Sequence, residues 1–386
     1  MADELTVKII HAITEVGREN WDRLLNSGSP FLKWDWLDSL EQTGCVSEKT
    51  GWLPHHIIVE RGGEVVGSCP MYLKLHSMGE FVFDHDWAEH AFRLGIRYYP
   101  KMLVGIPFTP VTSVRFLTGG REDRRGLIRL MGRALLHLAR DYDISSIHVN
   151  FCLGDEAEAL EEIGFLPRVG LQFHWHNRGY RSFDDYLKDF RSERRTKIKR
   201  ERRELLTQGI IIRSVEGDEL TPAHLRTMFR LYQDHIERFY YGQQYLTQQF
   251  FDEMARRFTS SICLILAERD SRIIAGTFNL QDPTALYGRY WGAFEEERYL
   301  HFNVCYYAAI EHCIRKGLKR FEAGAGGSFK RFRGLEPQPT ASMHYILEER
   351  LRRAVKDYLR REREAMDYKQ MKLLEKSQLK EGSEDQ

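Results

Sequence analysis

Three stretches of the chain carry residue types that could handle an anion or a proton. In the segment 321–334, Phe-Glu-Ala-Gly-Ala-Gly-Gly-Ser-Phe-Lys-Arg-Phe-Arg-Gly, a strand gives way to a glycine-rich loop followed by cations. Glycines let backbone N–H groups approach and hold an anion, and Lys330 and Arg333 add charge beside them. The pattern is not the G-x-x-x-x-G-K-[ST] of a P-loop. It also lacks the following helix that a dinucleotide fingerprint needs. In Tyr287-Gly288-Arg289-Tyr290-Trp291-Gly292, an arginine stands in a strand with glycines on either side. A buried Arg needs a partner and strand glycines admit a ligand, so Arg289 is expected to bind an anion. Residues 191–203, Arg-Ser-Glu-Arg-Arg-Thr-Lys-Ile-Lys-Arg-Glu-Arg-Arg, place many cations on a helix that also has an apolar face. That helix reads either as a solvated face or as a docking site for phosphates. The phosphates would be those of a nucleotide-linked precursor, a tRNA or an anionic membrane surface.

Two further stretches are less specific. Phe83-Asp84-His85-Asp86-Trp87-Ala88-Glu89-His90 gathers acids and histidines without the H-E-x-x-H spacing of a zinc site. It reads as a polar loop in which Asp84 or Asp86 could serve as general acid or base, with no metal expected. In Gln172-Phe173-His174-Trp175-His176, period two puts His174 on one face with Gln172 and His176.

The elements around these residues repeat. In the first half, 56–60 reads as a strand, 61–64 as a tight turn and 65–75 as a second strand. Residues 102–106 follow as a strand, 125–140 as an amphipathic helix, 144–151 as a strand and 156–163 as a short helix. Residues 171–175 close the half as a strand. The second half opens with a helix over 183–207 and continues with helices over 222–239 and 246–258. Strands follow over 262–268, 272–280 and 285–293, then a helix over 304–316 and a strand over 319–323. Each half thus runs strand, turn, strand, strand, helix, strand. The polar break at 177–182 divides the chain into domains 1–180 and 181–386, the second ending in a charged helix and tail.

Composition sets the outer bounds. The 386 residues are 42% hydrophobic and 29% charged, enough for two folded domains and too apolar for a disordered chain. Lys and Arg number 57 against 56 Asp and Glu, so a globally basic nucleic-acid binder is disfavoured, although +1 overall conceals the local basic stretch. No run of 18 apolar residues occurs, and Met1-Ala2-Asp3-Glu4-Leu5 does not read as a secretory signal. The six cysteines are scattered with no C-x-x-C, as expected for reduced thiols of a cytoplasmic protein.

The element order resembles that of the acetyltransferase-type (GNAT) fold, taken twice: an α/β chain with mixed sheets. Tandem copies resemble the Fem-type peptidoglycan aminoacyl transferases. The helix around Tyr186–Gly209 and the segment with Gly324, Phe329, Lys330 and Gly334 are similar to that family's segments. More closely, the chain resembles the FemAB-like peptidoglycan biosynthesis/recognition proteins. The likeness runs through Tyr72-Leu73-Lys74, Tyr98-Tyr99-Pro100-Lys101, Pro107-Phe108-Thr109-Pro110, Gln172-Phe173-His174-Trp175, Leu300-His301-Phe302, Cys305-Tyr306-Tyr307 and Glu322-Ala323-Gly324-Ala325. The resemblance implies an acyl or aminoacyl transferase acting on an amine of an anionic acceptor, with a peptidoglycan precursor as a candidate. Arg289, Lys330, Arg333, His301, Asp84 and His174 would bind substrate. Glu322 would be the base, with Tyr290 or Tyr306 as proton donor. Acyl-CoA or aminoacyl-tRNA would be the donor, the tRNA engaging 191–203, and peripheral membrane contact is conceivable. The alternatives are a non-catalytic module recognising cell-wall precursor or protein, and an acetyl-CoA-dependent N-acetyltransferase. Asn303 stands where the group usually has Glu, and Gly326–Lys330 replaces its Gln-Gly-Glu-His-Lys. The stretch 296–303 lacks the glycines with which acetyltransferases of this fold hold the CoA pyrophosphate.

Overall fold

The computed structural model describes residues 4–26, 29–120, 123–239, 242–375 and 379. The chain forms two compact units, Met1–Gly170 with Pro339–Tyr368, and Leu171–Gln338 with Lys369–Gln386.

The first unit runs β1 (Leu5–Ile10), α1 (Arg18–Asp22), α2 (Trp34–Gln42), β2 (Trp52–Pro54), β3 (His56–Arg61), β4 (Glu64–Cys69), β5 (Met71–Lys74), α3 (His85–Arg93), β6 (Lys101–Val104), α4 (Arg124–Asp141), β7 (Ser146–Cys152) and α5 (Gly154–Glu161). The single strand expected over 65–75 is two strands. Pro70 lacks the N–H a ladder needs, and the chain changes sheets there: β4 pairs with β3, whereas β5 pairs with β2 and β6. The tight turn at 61–64 joins β3 and β4 as expected. β6 and β7 are parallel, with α4 as the crossover between them. Asp123 caps α4 by accepting from Gly126 N at 3.1 Å. Its Leu127, Met131 and Leu135 pack with Ile57, Val59, Met102, Ile147 and Val149.

The second unit runs β8 (Leu166–His176, from residue 171), α6 (Phe183–Lys188), α7 (Ser192–Thr207), β9 (Ile211–Glu216), α8 (Pro222–Glu237), α9 (Gln248–Arg257), β10 (Ile262–Arg269), β11 (Arg272–Gln281), β12 (Ala285–Ala293), α10 (Leu300–Phe302), α11 (Ala308–Lys316) and β13 (Arg320–Glu322). Its sheet has the order β8-β13-β12-β11-β10-β9, parallel only between β12 and β13. The helix expected over 183–207 breaks before α7, where Arg191 is extended, and this turns Phe190 into the core with Phe183 and Tyr186. The helix expected from 304 opens with a wider turn over Asn303–Tyr307 before α11 begins.

The chain then supplies β14 (Glu336–Ile346) and α12 (Glu349–Glu375). From residue 339 to 368 these belong to the first unit: Ala341–Ile346 pairs antiparallel with β7, and Met343 enters that unit's core. Conversely, residues 174–176 of β8 pair with β13, and Phe173 and Trp175 lie in the second unit's core. Each sheet is therefore closed by a strand drawn from the other half of the sequence. This differs from consecutive domains divided at 180, and from a first half closed by 171–175. Alternation shows that a strand is half-buried but not which sheet buries it.

Candidate functional site

The site arises where two strands part. β12 and β13 pair only from Ala285/Arg320 to Tyr287/Glu322. β12 continues to Ala293, while the chain after Glu322 turns away into the glycine loop. Gly324 is left-handed (φ 76°), and a Cβ there would stand 3.2 Å from Gly288 O, so the loop hugs β12 only with glycine at that place. On its other side β12 carries a bulge: Asn279 pairs with Gly288 and Phe278 with Tyr290, which leaves Arg289 as the extra residue. A bulge frees ladder groups and re-aims side chains. The wedge between bulge and loop is a cavity of ≈ 270 Å³.

Five of the residues expected from the sequence line this one cavity: Arg289, Tyr290, His301, Tyr306 and Lys330. Lys330 is 2% exposed. Its ammonium donates to Gly324 O and Ala325 O, tying the glycine loop shut, and keeps a third N–H. Burial pushes its pKa down to about 8, so it is largely charged at neutral pH. Burial also lowers Arg289, whose guanidinium lies over the Tyr290 ring at 5.4 Å. His301 packs edge-on against Trp291 and Tyr306, with ring centroids 5.2 and 5.5 Å away. Desolvation, with the Arg333 charge nearby, pushes it down to about 4, so its imidazole is neutral. Burial raises the Tyr306 phenol. Tyr306 projects from the wide turn that Asn303 opens. Turns of this kind inside a helix are frequent at functional sites.

The other expected residues lie elsewhere. Glu322 does not line the cavity, as strand alternation puts it opposite Phe321 and Ala323, which do. It is 4% exposed, its Oε1 is 2.8 Å from Arg320 Nε, and its Oε2 is 3.7 Å from His174 Nε2. Burial pushes Glu322 up to about 7 against the pull of Arg320, and burial pushes His174 down to about 3. Arg333 is 3% exposed and serves the core: Nη1 donates to Phe329 O at 3.0 Å, Nη2 is 3.6 Å from Glu201, and the guanidinium covers the Phe302 ring at 3.5 Å. Asp84 belongs to the first unit, where it precedes α3 and accepts from Tyr98 at 2.7 Å and Lys101 at 2.5 Å. The stretch 85–93 is helix α3, not the expected loop, and leaves Asp86 exposed. Among the described residues no group of His, Cys, Asp or Glu is arranged to hold a metal.

Asn303 is a structural residue. Its Nδ2 donates to Glu201 O and Tyr299 O, both at 3.0 Å, and so joins α10 to α7. The side chain of Ser328 lies outside the described residues. Along α7, Arg194 and Glu201 are buried, whereas Arg191, Lys197, Lys199, Arg200 and Arg203 are exposed. Sequence reasoning missed Thr277 and Asn279, which line the cavity from β11. The signal was present: two polar residues at period two inside a strand otherwise apolar.

Each unit holds one parallel strand pair spanned by a helical crossover and flanked by antiparallel strands, which is the acetyltransferase-type fold taken twice. The chain belongs to the FemAB-like family of peptidoglycan biosynthesis/recognition, which matches it over residues 12–381. Among solved structures it is similar to FemX, at 12% identity over 90% of this chain and 100% of that one, with a TM-score of 0.54. It is also similar to a conserved protein of unknown function from Bacteroides thetaiotaomicron (10% identity, 89% and 100% covered, TM-score 0.53). L-PGS from Bacillus licheniformis is a third (8% identity, 86% and 93% covered, TM-score 0.50). At such identities these structures establish the fold. No curated protein matches the chain.

Proposed function

We propose that the chain transfers an aminoacyl group from a charged tRNA to an amine of an anionic acceptor of the peptidoglycan-precursor kind. The observation that carries this reading is the cavity at the parting of β12 and β13, with Lys330 and Arg289 in its wall. The acceptor nitrogen attacks the ester carbonyl carbon, and the carbonyl oxygen takes up negative charge. The third N–H of Lys330 and the bulged strand at Arg289 stabilise that oxyanion. His301, neutral at working pH, takes the proton from the attacking nitrogen. Tyr306 beside it returns a proton to the departing ribose oxygen as the C–O bond breaks. Glu322, the base expected from the sequence, is paired with Arg320 outside the cavity and bears on it only through its charge on Arg289.

Acyl-CoA is the weaker donor, because 296–303 lacks the glycines with which acetyltransferases of this fold hold the CoA pyrophosphate, and Glu296 and Glu297 add negative charge to that stretch. The exposed cations of α7 suit tRNA phosphates instead. No helix among the described residues is long and apolar enough to cross a membrane, and we place the reaction in the cytoplasm. A recognition module remains the second reading, because no carboxylate base lines the cavity among the described residues.

The test incubates the protein with a UDP-linked muropeptide and either charged tRNA or acetyl-CoA, and reads product by mass. Aminoacyl transfer that falls at least a hundredfold in Lys330→Met supports the proposal. Acetyl transfer would substitute the CoA reading, and precursor binding without any turnover would establish the recognition module.

A further inference from the structure

A second cavity, of ≈ 410 Å³, shares Trp291 and His301 with the first. Its remaining wall comes mainly from the end of α8 and from the three glutamates after β12. Arg238 is the one Lys or Arg among its described lining residues, and its guanidinium is already engaged. It bonds Asp234 at 2.7 Å, Glu296 at 3.1 Å and Ala293 O at 2.8 Å. Neither lining imidazole adds a positive charge at neutral pH, since burial lowers both His235 and His301. From behind, Arg269 pairs with Glu295 and, at 2.7 Å, with Glu297. At this wall three glutamates and Asp234 outnumber the two guanidiniums, and the charges of Arg333 and Lys330, which also reach His301, come from outside the lining of the second cavity.

The walls also offer aromatic faces. Phe239 is 58% exposed and stacks edge-on with His235 at 5.0 Å, and Trp291 is half-buried at the junction of the two cavities. Aromatic faces beside surplus carboxylate stabilise an ammonium ion and repel a pyrophosphate.

We propose that this second cavity seats the ammonium group of an amine-bearing substrate while the reacting carbonyl lies in the first cavity. The assignment rests on the transferase reading above and adds a ligand class to it. His301 stands between the two groups, in contact with both chambers.

The experiment titrates the full-length ¹⁵N-labelled chain and follows the Trp291 indole N–H. N-acetyl-L-lysine amide presents a side-chain ammonium, as an acceptor would. L-alaninamide presents an α-ammonium, as an aminoacyl donor would. N-acetyl-L-norleucine amide is the neutral control. One or both ammonium probes should saturate the site while the control does not. The double variant Glu296→Gln, Glu297→Gln should weaken that binding about fivefold or more. Phe239→Ala, at an exposed position, should weaken it about threefold. Equal binding of the neutral control, or affinities that neither variant moves, overturns the assignment. Transfer is read separately. Product that still depends on Lys330, with ammonium probes indifferent to Glu296 and Glu297, removes this assignment alone. Ammonium binding that fails in these variants, without product from any donor, removes the transferase reading and leaves the ammonium seat standing.

Discussion

Tyr287 and Glu322 are the last residues to pair between the parallel strands β12 and β13. The cavity of the second unit opens just beyond them, while the carboxyl of Glu322 is buried on the opposite face of the strand, beside Arg320 and His174. Burial pushes it from 4.5 up to about 7. A carboxyl whose folded pKa is raised binds a proton more tightly folded than unfolded, so its contribution to stability falls as pH rises from about 4.5 to about 7. Glu322→Gln keeps the shape and removes the titration. Relative to the parent, the variant should gain roughly 3 kcal/mol of stability between pH 4.5 and pH 8. Urea denaturation of both proteins at the two pH values measures this, and parallel curves would show that Glu322 is already ionised in the folded chain.

Lys101 makes the opposite case in the first unit. Its ammonium is fully buried, 2.9 Å from Glu80 and 2.5 Å from Asp84, and it also donates to Ser77. Burial pulls its pKa down, but the two carboxylates outweigh burial and raise it. The same charge holds Asp84 well below the usual carboxylate range despite its burial. Burial takes Glu80 up to about 7. Lys101→Met would leave two carboxyls without their cation and should cost about 3–5 kcal/mol. Glu80→Gln should cost much less, because that group is half-protonated near neutrality. Chemical denaturation at pH 7 ranks the two variants, and equal losses would contradict this account.

These two sites differ in how far the sequence discloses them. The cavity of the second unit is legible because its residues fall in two short local patterns, the glycine-flanked Arg289 and the glycine loop before Lys330. The strands that carry these patterns, read at 285–293 and 319–323, form at Ala285–Ala293 and Arg320–Glu322, whereas His301 and Tyr306 enter through the family resemblance alone. The Lys101 network is built from Lys74, Ser77, Glu80, Asp84, Tyr98 and Lys101, with His148 near it, and no spacing links such residues before the fold does. The exchange of β8 and β14 is equally silent, since Trp175 and Met343 look like core residues whichever sheet receives them. Arg333 shows the converse error: a cation after a glycine loop looks like an anion ligand until its partners Glu201 and Phe302 are seen.

Arg333, Tyr307 and Glu201 meet in the core of the second unit. The Tyr307 hydroxyl donates to Glu201 Oε2, and Arg333 lies 3.6 Å from the same oxygen. Glu201→Ala removes the common acceptor and strands a buried guanidinium and a buried phenol. The loss of stability should be about 3–5 kcal/mol. Arg333→Ala should likewise act on thermal stability, whereas Lys330→Met should act on transfer with a smaller change in melting temperature. A ligand-binding role for Arg333 would show instead as weakened binding at unchanged stability.

Gly292 couples the cavity wall to α8. A Cβ at this position would lie 2.0 Å from Leu231 O and 2.3 Å from Leu231 C, both backbone atoms of the helix. Gly292→Ala must therefore displace α8, at a cost at or above the roughly 1–3 kcal/mol typical of overpacking. The next residue of that helix, Tyr232, touches Tyr290 with ring centroids 4.9 Å apart, so the cavity wall moves with it. Calorimetric melting should show the lower stability. Any folded fraction should have lost transfer activity out of proportion to its abundance.

The exposed cations of α7 decide whether a polyanion docks there. Arg194 is occupied by Phe332 O at 2.6 Å and Arg202 by Glu311 at 2.7 Å, so neither is available to a phosphate. Lys197 and Arg200 project into solvent, and Lys199 reaches only to Asp184 at 3.9 Å. Replacing Lys197, Lys199 and Arg200 by Gln should leave folding unchanged, since exposed substitutions away from core features stay within about 0.5 kcal/mol. If these side chains neutralise tRNA phosphates, each releases close to one counterion. The plot of log affinity against log salt should then become shallower by about 2–3 in the triple variant. Filter binding of charged tRNA across a salt series measures the slope. An unchanged slope would assign these cations to the solvated face that their spacing equally allows, and would move the tRNA contact off α7.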